Sequence, residues 1–122
     1  MKDYQANIQI EVQPNNEKPY RLIKLSGNLD KAGLTEVRAQ IEEAESGMKS
    51  EFLVFDLSDL NFINSEGIGF FMMINNKLVA ENKKMAIIGA TENVRDVLNV
   101  IGLLNIIDNF QTLAEMEESL KT

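Results

Sequence analysis

Phe52-Leu53-Val54-Phe55-Asp56 runs through a short polar stretch into Asn64-Ser65-Glu66-Gly67-Ile68-Gly69. Continuous apolar residues ahead of Asp56 mark a central strand covered on both faces. A long apolar helix begins directly after Ser65. A strand that passes through a turn into a helix sets the serine hydroxyl at the helix's positive end, where an added phosphate is well received. No other part of the chain carries comparably pointed chemistry.

On the N-terminal side, Ile8, Ile10 and Val12 alternate with Gln9 and Glu11, the pattern of a strand with one buried face. Residues 13–19 hold two prolines and two asparagines and form a connecting loop. Leu22, Ile23 and Leu25 resume strand character, and the two strands make an antiparallel hairpin near one sheet edge. Gly27-Asn28-Leu29-Asp30 then breaks the strand, and Asp30 caps a helix. Leu34, Val37, Ile41 and Ala44 form that helix's apolar stripe, with Gly47 as its stop.

On the C-terminal side, Met85-Ala86-Ile87-Ile88 is a second buried strand. Thr91 caps a helix carrying Val94, Val97, Leu98 and Ile101 at core spacing, ended by Gly102. Ile106-Ile107 reads as a short final strand. Thr112 with Glu115 makes a capping box ahead of Leu113, Met116 and Leu120. The order is β-β-α-β-α-β-α-β-α, an α/β fold with a mixed, mostly parallel sheet of four to five strands and about four helices. A single domain spans 1–122, with no repeat or linker.

Composition narrows the chemistry. The formal net charge is −7 and the pI about 4.6, so the surface repels nucleic acid backbones and anionic lipid. The absence of His and Cys removes Ser-His-Asp and Cys-His catalysis, the usual zinc sites and disulfides. No apolar run approaches the ~20 residues of a membrane span, and the start, Met1-Lys2-Asp3-Tyr4-Gln5, lacks a signal-peptide core. The expectation is a soluble cytoplasmic protein with no metal, no cofactor and no catalytic residue.

The helix after Ser65 is apolar on two sides. Ile68, Phe71, Met72, Asn75, Leu78 and Val79 make the stripe assigned to the core. Phe70, Met73, Ile74 and Lys77 make a second set at the same spacing, offered either to a partner or to a thicker core contact. Asn64-Ser65 also has a plainer reading, as N-cap residues that satisfy free helix amides. Gly67 and Gly69 permit close backbone approach, but no lysine stands where a nucleotide-binding glycine loop needs one.

Taken together, Ile8 to Leu120 resembles the STAS domain family, specifically the bacterial anti-sigma factor antagonists. Gly27-Asn28-Leu29-Asp30 is similar to the family's Gly-Glu-Leu-Asp element. Val54-Phe55-Asp56-Leu57-Ser58-Asp59-Leu60 with Phe62-Ile63-Asn64-Ser65-Glu66-Gly67-Ile68-Gly69 looks like its central strand and phosphorylation loop. Gly102-Leu103-Leu104-Asn105-Ile106-Ile107 looks like its Gly-Leu-x-x-Ile-Ile segment.

The resemblance implies a switch. An unmodified antagonist binds an anti-sigma factor, a serine kinase with a histidine-kinase-like ATP site, and thereby frees a sigma factor. The kinase phosphorylates the loop serine, here Ser65, the complex separates, and a PP2C-type phosphatase restores the active form. The surface expected to meet the partner comprises Asp30, Asn64, Ser65, Glu66, Gly67, Phe70, Met73 and Ile74. Two positions depart from the family pattern: Asn64 stands where Asp is usual, and Glu66 where a small residue is usual. Asn caps as well as Asp, but one charge beside the acceptor is lost and another gained.

Two other functions remain open. The same fold can serve as a phosphorylation-independent scaffold or transporter-associated subunit. An enzyme or small-ligand binder would need carboxylates such as Asp30, Asp56, Asp59 and Glu66 to gather at the strand ends, where α/β sheets bind ligands.

Overall fold

The computed structural model describes residues 6–14 and 18–121. The N-terminal residues inspected for a signal core and the middle of the proline-bearing loop lie outside these. Strands β1 (Ile8–Val12), β2 (Tyr20–Leu29), β3 (Phe52–Ile63), β4 (Lys84–Ile88) and β5 (Asp108–Phe110) lie in chain order across one sheet. β1 runs antiparallel to β2; every other pair is parallel. The helices are α1 (Lys31–Ser46), α2 (Ser65–Ala80), α3 (Glu92–Val100) and α4 (Leu113–Ser119). The α/β architecture and the mixed, mostly parallel sheet are as expected.

Each parallel crossover advances one strand in the same direction. Crossovers of constant hand therefore leave their helices on one face of the sheet. α1, α2 and α3 bury Leu34, Val37, Ile41, Phe71, Leu78, Val94 and Leu98 there against Ile23, Leu25, Leu53, Phe55 and Ile87. α4 covers part of the opposite face, where Met116 packs with Tyr20, Val54, Ala86 and Ile88. Beyond α4 that face is polar and carries the Lys24–Asp59 ion pair at 2.9 Å.

β2 does not break at Gly27 but continues to Leu29. Gly27, at φ +104°, lets the chain approach closely enough for the Asn28 N–H to donate to Asn7 O at 2.7 Å. β3 likewise runs past Asp56 to Ile63. Its register against β2 slips at Lys24/Ser26 and again at Gly27/Asn28, placing an extra β3 residue at each point. Leu57, Leu60 and Ile63 therefore reach the same core at a spacing of three rather than two.

The last strand is Asp108–Phe110, not Ile106-Ile107. Gly102, at φ +79°, opens a 3-10 turn over Leu103–Asn105, and the Ile106 and Ile107 amides both donate to Leu103 O. Ile107 plugs the core from this turn, while Ile106 faces out. α3 buries only Val94 and Leu98; Val97 and Ile101 are exposed.

α1 and α2 are also joined by charge. Glu45 is 1 % exposed, and Lys77 Nζ approaches its Oε1 at 2.8 Å. Hydrogen bonding to Glu45 and then its charge raise the Lys77 pKa above 10.5. Burial, followed by the Glu117 hydrogen bond, raises that of Tyr20 above 10.0. Both groups hold their protons more tightly folded than unfolded, so their contribution is complete below the unfolded values and lost as pH rises through the folded ones. The melting temperature should hold from neutrality to about pH 10 and fall above it. Lys77→Met should lower it at neutral pH by stranding the Glu45 carboxylate. A thermal melt series against pH checks both.

Candidate functional site

Leu29 ends β2 and Ile63 ends β3, and the two are paired in the sheet. The residues that follow, Asp30 and Asn64, therefore emerge side by side, each as the N-cap of its helix. Asp30 Oδ1 accepts from Gly33 N at 2.8 Å. Asn64 Oδ1 accepts from Glu66 N at 3.0 Å and Gly67 N at 3.3 Å. Asn64 N donates to Leu29 O at 3.3 Å, which ties the two caps together.

Capping is thus done by Asn64, and Ser65 is the first helical residue. Ser65 is exposed, and among the described residues none hydrogen-bonds its hydroxyl. The plainer reading of the pair as caps holds for Asn64 alone. Glu66, also exposed, lies in the first turn, where the helix dipole favours a carboxylate.

Gly67 is buried under a different constraint. A Cβ there would lie 2.6 Å from Leu29 O and 2.9 Å from both Ile63 Cγ1 and Leu29 Cγ. Gly67→Ala should push α2 away from the strand ends and destabilise the fold by ~2–3 kcal/mol, an overpacking effect measurable by urea unfolding.

The expected outer stripe needs correction. Phe70 and Ile74 belong to the core, with exposures of 3 % and 0 %. The flank meant for a partner is closed by α1, whose Arg38 guanidinium lies 5.3 Å from the Phe70 ring centroid. Of the apolar residues in that set only Met73 is exposed, and Arg38 reaches its sulfur at 3.5 Å. Met72 and Val79, assigned to the core, face outward. Both stripes were apolar, so spacing alone could not orient the helix. The buried residue Gly67, in step with Phe70, Phe71, Ile74 and Leu78, was the available signal.

The exposed face of α2 therefore runs from Ser65 through Gly69, Met72 and Met73 to Asn76. Sequence reasoning missed Met72 as a surface residue, and with it Phe62, half exposed two residues before the Asn64 cap. The carboxylates considered for catalysis are engaged separately. Asp56 accepts from Ser58 N, Asp59 pairs with Lys24, and Asp30 caps α1. Among the described residues no group of three His, Cys, Asp or Glu could hold a metal ion, and no helix is long and apolar enough to cross a membrane.

Comparison with known proteins agrees with this architecture. The STAS domain model matches residues 7–116. An anti-sigma F factor antagonist of Paenibacillus polymyxa is 30% identical over 115 residues, covering 91% of this chain and 97% of the relative. The crystal structure of an anti-sigma factor antagonist from Mycobacterium paratuberculosis superposes with a TM-score of 0.81 at 19% identity, covering 94% of this chain and 95% of that one. The antagonist SpoIIAA in its unphosphorylated form gives 0.76 at 20% identity, covering 93% and 96%. The Bacillus cell fate determinant SpoIIAA in its phosphorylated form gives 0.69 at 20% identity, covering 92% and 99%. The chain belongs to the STAS domain family, and its likeness there runs to the anti-sigma factor antagonists.

Proposed function

We propose that this chain is an anti-sigma factor antagonist that binds an anti-sigma factor kinase while Ser65 is unmodified and releases it once Ser65 carries phosphate. The observation that carries this is an exposed serine at the first helical position of α2, relieved of capping by Asn64 and continuous with the exposed Gly69, Met72 and Met73. A phosphate adds about −1.5 to −2 charges near neutral pH. The free amides of the first turn offset it locally, so the domain stays folded. A close-fitting partner instead meets a desolvated dianion beside Glu66, with Asp30 on the adjoining cap.

The kinase supplies ATP, Mg²⁺ and the base; this chain supplies the acceptor hydroxyl and is not itself an enzyme. A PP2C-type phosphatase reverses the modification. Sigma factor, kinase and antagonist act in the cytoplasm, without nucleic acid or membrane contact by this domain.

Ser65→Ala tests the switch in cells. It should bind the kinase as the wild type does, resist modification, and leave sigma-dependent transcription permanently on. The exposed Glu66 carboxylate beside the acceptor favours one other reading, a scaffold that is never phosphorylated. Under that reading the alanine variant leaves transcription unchanged.

A further inference from the structure

Gly67 and Gly69 sit two residues apart in α2 and answer to different demands. The fold itself requires Gly67, because a Cβ there would strike Leu29. At Gly69 a Cβ would meet nothing within 4 Å. The backbone there is helical and the residue exposed. Glycine is unfavourable relative to alanine inside a helix, chiefly through lost backbone entropy. Nothing in this chain's own packing calls for it at position 69.

Its position gives the missing reason. Gly69 lies one helical turn beyond Ser65, on the same side of α2. The next residues on that side are Met72 and Met73, 44 % and 38 % exposed. A bare backbone between a hydroxyl and two flexible thioethers leaves a notch, with Glu66 at its edge and Arg38 of α1 reaching the far side of Met73 at 3.5 Å. Methionine adapts its shape to an incoming group, while the glycine lets that group approach the main chain. The rim is acidic beside the acceptor, where Glu66 is exposed and has no cation partner among the described residues. The chain as a whole carries a net charge of −7.

We infer that Gly69 is a specificity-determining contact: the notch bounded by Ser65, Met72 and Met73 receives an apolar side chain of the anti-sigma factor, flanked there by a basic residue opposite Glu66. This rests on the partner reading above and deepens it. A knob seated one turn from Ser65 lies against the spot where the phosphate is placed. Modification therefore puts the dianion on the rim of the filled notch, where the interface has no water to screen it.

Gly69→Ala and Gly69→Leu test this against the host's own histidine-kinase-like anti-sigma factor, with binding measured by calorimetry and melting followed by circular dichroism. The alanine variant should melt about 3–5 °C higher than the wild type, as an exposed helical glycine replaced by alanine does. It should nevertheless bind about 10-fold more weakly, and the leucine variant about 100-fold more weakly or not detectably. Glu66→Gln should slow association and flatten its salt dependence. Wild-type affinity in the leucine variant, with the wild type itself binding, would overturn the notch and leave the switch standing. A wild type that binds no anti-sigma factor would overturn both.

Discussion

Ser65→Asp should weaken the complex with the anti-sigma factor by about 100- to 1,000-fold, ~3–4 kcal/mol, while leaving the fold as stable as before. The two halves of this result have separate causes. Ser65 is exposed and its hydroxyl is bonded to no described residue, so the substitution removes no internal contact. An acidic side chain at the start of α2 interacts favourably with the helix dipole. Within the interface the same charge is desolvated, with Glu66 next to it and, among the described residues, no cation paired to Glu66. Isothermal titration of the variant against the kinase, beside a thermal melt, separates the effects. Equal loss of binding in Ser65→Asp and Ser65→Ala would point to a lost hydroxyl contact rather than to charge.

Phe70→Glu should unfold the domain rather than merely release its partner. The ring is 3 % exposed and lies under the Arg38 guanidinium. Removing a buried phenylalanine costs about 3–5 kcal/mol, and a carboxylate in its place must be desolvated or protonated. The sum, ~5 kcal/mol or more, rivals the whole stability of an ordinary domain. Met73→Glu, on the exposed face of the same helix, should keep a cooperative melt and lose affinity for the anti-sigma factor. Circular dichroism of both variants, followed by a pull-down with the kinase, checks the contrast. A folded Phe70→Glu protein would show that α1 does not close over this flank.

The contrast marks how far the sequence could be read. Element order, the parallel sheet and the caps at Asp30, Asn64, Thr91 and Thr112 were legible, because capping chemistry and apolar runs are local signals. The length of β3 was not. Two bulges set Leu57, Leu60 and Ile63 three residues apart, and a period of three mimics loop or helix rather than strand. The orientation of α2 was hidden as well. Its fully buried residues mix both apolar stripes, and only the packing of α1 and the strand ends decides between them. Ser65 itself was visible, yet its freedom from capping depends on which of two adjacent polar residues turns inward. That choice follows from Asn64 being tied to Leu29 across the sheet end.

The most direct test begins with the complex of this chain and its host's histidine-kinase-like anti-sigma factor, formed in ADP and isolated by size exclusion. Mg-ATP is then added, and the mass of the released chain is mapped by peptide. One phosphoryl group on Ser65 appearing in step with dissociation is the predicted result. A complex that persists with Ser65 modified, or separates with Ser65 unmodified, would contradict the proposed switch.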